Sequence, residues 1–224
     1  MIRGILLDIE GTTTPISFVY DVLFPYARAH AGDHIGEEDL RSLRVDFEKD
    51  SLDRLEPPAW SAPPIDYVHW LMDHDRKTTA LKNLQGKIWL EGYRRGELHG
   101  IVFEDVPGAL TKWRQETIDV RIYSSGSILA QKLLFGSTPV GDLTLLLNGY
   151  FDTTTGAKAE TESYVKIASA FGLAARDILF VSDVVRELDA ARSAGMQTAL
   201  CVRPGNPAQP SSEHAVIRSF EEIR

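Results

Sequence analysis

The sequence predicts an α/β fold, a parallel sheet core with a block of helices inserted after its first strand. Three observations carry this. Short apolar segments each end in an acid or a hydroxyl residue, and amphipathic helical patterns alternate with them. One long stretch between the first two segments reads as several helices, with no long strand pattern in it.

The elements follow in order. Arg3 to Leu7 is an apolar run closed by Asp8, with Gly11 opening a Thr-rich turn, which is the pattern of a buried strand. From Phe18 to Gly100 four helical patterns succeed one another: Val19 to His30, Glu37 to Leu52, Ile65 to His74 and Thr78 to Arg95. Between the second and third, Glu56 to Pro64 is a loop, because its prolines remove backbone donors and fix φ. Asp119 to Tyr123 is the next strand, ending at Ser124-Ser125-Gly126 before the helical pattern of Ile128, Leu129, Lys132 and Leu133. A helix over Glu160 to Phe171 leads to the strand Asp177 to Val181, which ends at Ser182-Asp183. The helix carrying Leu188, Ala191 and Ala194 then precedes the strand Gln197 to Val202, closed by Arg203-Pro204-Gly205. Such alternation implies a Rossmann-like parallel sheet with right-handed crossovers. The expected division is 1–17 with 101–224 as the α/β core and 18–100 as a helical cap.

Composition narrows the function. The 224 residues suit one large domain or a core with an insert. A formal net charge of −8 argues against nucleic-acid binding, which needs a basic face. No apolar run approaches the roughly 18 residues of a membrane span. The N-terminal apolar run is short and followed at once by acids, so no secretory signal is expected. The single cysteine, Cys201, excludes an internal disulfide framework and fits a reducing compartment, with the cytoplasm as the expected location.

Ligand sites in open α/β sheets lie beyond the carboxyl ends of the strands. Three predicted strand ends carry Asp8-Ile9-Glu10-Gly11-Thr12, Ser124-Ser125-Gly126 and Ser182-Asp183, and Lys158 precedes the helix leading into the third. Acids, a hydroxyl turn and a lysine are the inventory for holding magnesium and a phosphate together. Phosphoryl transfer needs an in-line nucleophile and neutralised non-bridging oxygens. Asp8 is the expected nucleophile, giving an aspartyl-phosphate intermediate. Magnesium held by Asp8 and Asp183 would turn carboxylate–phosphate repulsion into attraction. Lys158 would hold the phosphate and screen Asp8, and the serine turn at a helix start can bind phosphate oxygens. Glu10, two residues after Asp8, is expected to act as general acid and then as general base on the hydrolytic water. Glu187 has two readings: a partner of a metal-bound water, or a first-turn acid favoured by the helix dipole. The histidines His30, His34, His69, His74 and His99 are scattered without metal-ligand spacing.

At these residues the sequence resembles the haloacid dehalogenase superfamily, whose four motifs match Asp8-Ile9-Glu10-Gly11-Thr12, Ser124-Ser125, Lys158 and Asp183. Most phosphatases of that superfamily have aspartate where this chain has Glu10. The run Asp8 to Ile16, with its three threonines, is similar to the signature of the enolase-phosphatases of methionine salvage. So are Leu23-Phe24-Pro25-Tyr26, Leu84 to Trp89, Ile122 to Ser127, Ala130 to Gly136 and Val202 to Asn206. The resemblance implies acireductone synthase activity. A bifunctional enzyme would enolise 2,3-diketo-5-methylthiopentyl 1-phosphate, then dephosphorylate the enol phosphate. The products would be the acireductone 1,2-dihydroxy-3-keto-5-methylthiopentene and phosphate, in methionine salvage from methylthioadenosine. It further implies a monomer with one magnesium per chain, held by Asp8, Glu10 and Asp183. Ser124, Ser125 and Lys158 would contact substrate, and Asp8, Glu10 and Lys158 would be catalytic. In the wider superfamily the acid at the Glu10 position binds metal through its backbone carbonyl while its side chain does acid–base work. Lys158 and Glu10 are both candidates for the enolisation base. Trp89 is a candidate to line a pocket for the methylthio tail, since a thioether packs well against an aromatic ring. The alternative is a simple magnesium-dependent phosphatase of the same superfamily on another small phosphorylated metabolite.

Overall fold

Six strands pair into one sheet in the computed structural model, which describes residues 1–76 and 78–223. They are β1 (Gly4–Leu7), β2 (Asp119–Tyr123), β3 (Gly149–Phe151), β4 (Ile178–Ser182), β5 (Gln197–Cys201) and β6 (Ala215–Ile217). The order is β3-β2-β1-β4-β5-β6 and every pairing is parallel. The chain builds outward from β1 on one side, then returns to lay β4 against its other side. The switch point therefore falls between β1 and β4.

The apolar runs become strands because both faces of the sheet are covered. Leu6, Phe180 and Tyr123 lie on one face, and β1 pairs Leu6 with both Arg121 and Phe180. They pack with Tyr164, Ile167 and Phe171 of α7 (Thr161–Phe171) and Leu188 and Ala191 of α8 (Val185–Ser193). The opposite parity, Ile5, Leu7, Val120, Ile122, Leu179 and Val181, is equally buried. Each such side chain removed from water contributes about 1.5–3 kcal/mol. Two further helices flank β2 in sequence, α5 (Asp105–Gln115) before it and α6 (Ile128–Gly136) after it. The Ser127 hydroxyl caps α6 by accepting from the Ala130 N–H at 3.3 Å.

The chain divides into two compact units, Met1–Val19 with His99–Arg224, and Tyr20–Leu98. The second holds α1 (Phe24–His34), α2 (Glu37–Leu52), α3 (Ile65–Asp73) and α4 (Thr79–Arg94) around Leu43, Tyr67, Leu71, Leu84 and Ile88. Two buried acids are paired inside it. Asp39 meets Lys87 at 2.6 Å. Asp50 accepts from the Tyr67 hydroxyl at 2.8 Å and meets Arg76 at 2.5 Å.

Several expected boundaries shift for identifiable reasons. The helix expected over 19–30 instead opens with a wide π turn at Phe18–Leu23 and becomes α-helical only at Phe24. Pro25 supplies no N–H, so it sits at the start of α1, where a donor is not needed. The strand expected over 177–181 runs over 178–182, because Asp177 closes a short 3₁₀ turn from Ala175. Strands β3 and β6 were not anticipated. Each has three residues and belongs to the outer part of the sheet, too short for a period-2 pattern.

Candidate active site

Asp8, Ser124 and Asp183 all lie within two residues of the last paired register of β1, β2 and β4, where Leu7 is opposite both Ile122 and Val181. The Asp8 N–H still donates to the Val181 carbonyl at 3.0 Å, so the sheet holds its backbone while its side chain passes the edge. Asp8 is 4% exposed and Asp183 5%, which places both carboxyls in a sheltered recess at the switch point.

Asp8 Oδ1 meets Lys158 Nζ at 2.7 Å and accepts from the Ile9 N–H at 2.7 Å. The same ammonium meets Glu187 Oε2, on the first turn of α8, at 2.7 Å. The Ser182 hydroxyl lies 3.0 Å from Asp8 Oδ2 and 3.1 Å from Glu187 Oε2, and accepts from the Val184 N–H at 3.1 Å. A hydroxyl carries one proton, so it donates to one of these carboxyls at a time. Lys158 is fixed from below by its own carbonyl, which accepts from the buried Tyr164 hydroxyl at 2.7 Å.

Two carboxyls therefore contact one ammonium, and a third, that of Asp183, lies within reach of its charge. Burial, then the nearby Asp8 charge, raises Asp183 to about 7. The same two causes raise Glu187 to about 7, opposed by Lys158. Burial alone would lower Lys158, but the charges of Asp8 and Glu187 outweigh it and hold its value above the ordinary lysine range. Acids this reluctant to ionise mark a site short of positive charge. A divalent cation would supply that charge, and the oxygen donors match magnesium. Among the described residues no group of three or more His, Cys, Asp or Glu side chains forms a preformed cage. Such a set is not required of magnesium, which commonly takes one or two carboxylates and keeps several waters. The residues present fit the ion.

Glu10 and Gly11 lie on a tight turn after Asp8. The N–H groups of Thr12, Thr13 and Thr14 converge on the Ile9 carbonyl at 3.1, 3.0 and 2.9 Å, and the Gly11 N–H donates to the Thr14 carbonyl at 2.8 Å. Gly11 has φ +68°, and a Cβ there would lie 2.7 Å from the Asp183 Cγ, with Oδ2 nearer still. Only glycine meets both demands. The three threonines are fully buried. Thr13 donates to the Asp8 carbonyl at 3.1 Å, so at least one of them braces the Asp8 peptide.

Ser124 is buried at the end of β2, its hydroxyl accepting from the Gly126 N–H at 3.2 Å, and Ser125 is half-buried in the same turn. Gln131 fastens this turn by donating to the carbonyls of Gly126 and Phe151, both at 2.8 Å. The structure thus joins Asp8, Lys158 and Glu187 directly, with Asp183 near enough to feel their charges and the Glu10 turn and the serine turn at neighbouring strand ends. Trp89 is buried in the helical unit, donating its indole N–H to the Leu23 carbonyl at 2.8 Å and stacking on Phe24. Its contacts are those of a packing residue.

Sequence reasoning gave no role to Ser182, Gln131, Arg203 or Asn206. A hydroxyl closing an otherwise apolar, fully buried strand was the available signal for Ser182. Gln131, Arg203 and Asn206 act on backbone carbonyls, which leave no mark in a side-chain pattern.

The family model for haloacid dehalogenase-like hydrolases matches residues 2–195. The enolase-phosphatase E1 of Synechococcus elongatus is 45% identical over 99% of this chain and 98% of its own length. That of Pseudomonas aeruginosa is 47% identical, again over 99% and 98%. Among solved structures, the UTR4 protein of Saccharomyces cerevisiae is 36% identical and superposes with a TM-score of 0.80 over the whole of both chains.

Proposed function

Since this chain belongs to the haloacid dehalogenase-like hydrolases and, within them, to the enolase-phosphatases, we propose that it converts 2,3-diketo-5-methylthiopentyl 1-phosphate to the acireductone and phosphate. The observation that carries this is the Asp8–Lys158 contact of 2.7 Å at the switch point, with Asp183 beside Asp8. It puts a carboxylate nucleophile next to a phosphate-binding cation in a site short of positive charge.

Enolisation removes a proton from the carbon next to a carbonyl, the electron pair moves onto the carbonyl oxygen, and that oxygen takes a proton from solvent to give the enol. Two ion pairs engage the Lys158 ammonium, which has no lone pair to accept that proton. This supports Glu10 over Lys158 as the base. Asp8 Oδ attacks phosphorus in line, forming the aspartyl-phosphate as the bond to the enol oxygen breaks, and protonated Glu10 gives that oxygen its proton. Glu10 then takes a proton from water, which attacks the phosphorus, releases phosphate and restores the Asp8 carboxylate. Lys158 and the serine turn hold the phosphoryl oxygens throughout, their charge and N–H dipoles opposing the charge that develops there. Magnesium, when bound by Asp8, Asp183 and the Glu10 carbonyl, would neutralise phosphate charge and stabilise an enolate oxygen.

The helical unit is proposed as the cap, the core as 1–17 with 101–224 and the cap as 18–100. A monomer in the cytoplasm is part of the same reading, supported by the single buried thiol of Cys201. No helix among the described residues is long and apolar enough to cross a membrane.

The test is turnover of the diketone phosphate by purified protein, with conjugated product followed by absorbance and phosphate measured separately. The expected result is magnesium-dependent formation of both, lost in Asp8→Asn. Phosphate release without the enol intermediate would favour a simple phosphatase, and unchanged release in Asp8→Asn would overturn the nucleophile.

A further inference from the structure

We propose that Arg203 and Asn206, on the loop closing β5, are positioning residues that hold the turn bearing Glu10, a role that rests on the acid–base reading of Glu10 given above. The N–H groups of Gly11, Thr12, Thr13 and Thr14 are satisfied within the turn by the Ile9 and Thr14 carbonyls, but the carbonyls between them are not. Three successive carbonyls are held from outside: Gly11 by Asn206 Nδ2 at 2.8 Å, Thr12 by Arg203 Nε at 3.2 Å, and Thr13 by the Phe103 N–H at 3.0 Å. Asn206 Nδ2 also lies 3.5 Å from the Cys201 carbonyl, which ties it to its own strand end.

Arg203 is built into the core as a fixture. It is 6% exposed, with Phe103 and Phe220 at 4.6 and 4.8 Å from its guanidinium. Its Nη1 meets Asp105 Oδ2 at 2.9 Å and donates to the Arg218 carbonyl at 2.9 Å. Asp105 is held in turn, accepting from the Phe220 N–H at 2.6 Å and the Ser219 hydroxyl at 3.1 Å. Burial opposes its ionisation, yet these donors and Arg203 keep its carboxyl below the usual range. The guanidinium is therefore immobile, and its Nε fixes the Thr12 peptide rather than following it.

Orientation is what these contacts supply. Gly11 adopts φ +68°, a conformation a flexible glycine can leave as easily as it enters. With the Gly11 and Thr12 carbonyls pinned, the peptide planes on either side of Thr12 are set; the Gly11 N–H bond to the Thr14 carbonyl sets the plane before Gly11, and the direction of the Glu10 side chain follows. Groups that lock a reacting residue from behind are the usual means of holding it within about 0.5 Å of its working position. Neither side chain is assigned a contact with substrate.

The experiment uses the full chain with magnesium and the diketone phosphate, comparing Asn206→Ala and Arg203→Lys with the wild type. Arg203→Lys keeps a charge for Asp105 but removes the Nε donor to Thr12. A misplacement of about 1 Å costs on the order of 10²-fold in rate, so kcat should fall about 10- to 100-fold with KM within about threefold. The solvent deuterium isotope effect on kcat should also rise, because proton transfer by Glu10 is impaired in each of its steps. A purely structural role would lower the melting temperature without changing the isotope effect. If Asn206→Ala does not fold, Arg203→Lys decides alone. A folded variant with kcat within twofold of wild type and an unchanged isotope effect overturns the proposal. Lack of wild-type turnover on this substrate would instead reject the functional reading itself.

Discussion

Replacing Gly11 by alanine separates the cost of the turn from the cost to the site. Two effects arise at one atom. The backbone sits at φ +68°, where an L side chain costs about 1–2 kcal/mol. The new Cβ would also lie 2.7 Å from the Asp183 Cγ, whereas ordinary contact begins at 3.4 Å. The carboxyl group must retreat by roughly 0.7 Å measured at its carbon, and further at Oδ2. The far end of an aspartate moves easily, so the clash adds little to the loss of stability. At about 2–4 °C per kcal/mol for a chain of this size, the melting temperature should fall by roughly 2–8 °C. Function should suffer more. A displacement approaching 1 Å of a group beside Asp8, the proposed nucleophile, costs about 10²-fold. Differential scanning fluorimetry and steady-state phosphate release on one preparation measure the two effects together. Gly11→Ala with kcat within twofold of wild type would refute the close approach of Gly11 to a functional Asp183.

The other expectations are briefer. Lys158→Met leaves Asp8 and Glu187 without their shared counter-charge, and kcat for phosphate release should fall about 10²–10³-fold; a smaller loss than tenfold would remove Lys158 from phosphate binding. Asp183 and Glu187, each raised to about 7, bind protons more tightly folded than unfolded. The stability they contribute is full below about pH 4 and lost as pH rises through 7. Metal-free wild type should thus lose on the order of 1–3 kcal/mol relative to Glu187→Gln between pH 5 and 8, read by urea unfolding; a constant difference would contradict the raised value. In the helical unit, Asp50→Ala strips the partner from the Tyr67 hydroxyl and from Arg76. Arg76 is partly exposed and can rehydrate, so the loss should be about 2–3 kcal/mol rather than the 3–5 of a fully buried pair. Thermal unfolding measures it, and an unchanged midpoint would show that the pair contributes nothing.

Strand β4 and helix α7 were legible because their apolar positions repeat often enough to set a period. Strands β3 and β6 were not, because three residues set none, and their pairing depends on neighbours distant in sequence. Asp8, Lys158 and Asp183 could be read together since strand ends, a lysine and acids are visible in order along the chain. Their mutual distances could not. Lys158 alone reads as a solvated surface residue, and only the fold reveals it 12% exposed between two carboxyls. Glu187 had two readings from sequence, and the 2.7 Å contact with Lys158 adds a third partner that neither named. The enolase-phosphatase likeness was legible in the threonine-rich run, whose reason is the tight turn after Asp8, with all three threonines buried.

The charge balance of the site links that turn to the sheet. A chain of net charge −8 must bind a phosphate, and its recess adds three carboxyls against Lys158. Two of those carboxyls are raised to about 7, so the arrangement is held at some cost to folding. The sheet withstands this because Asp8 and Asp183 extend from β1 and β4, whose own residues are fully enclosed. A surface placement of the same acids would relieve the cost, but water would then screen Lys158 and compete for the nucleophile. Burial raises the energy of the free site, and a cation and a phosphate bound there, as proposed, would relieve that excess. On this argument the raised acids and the tight glycine turn serve one end: a carboxylate held close to its counter-ions, and unscreened until substrate arrives.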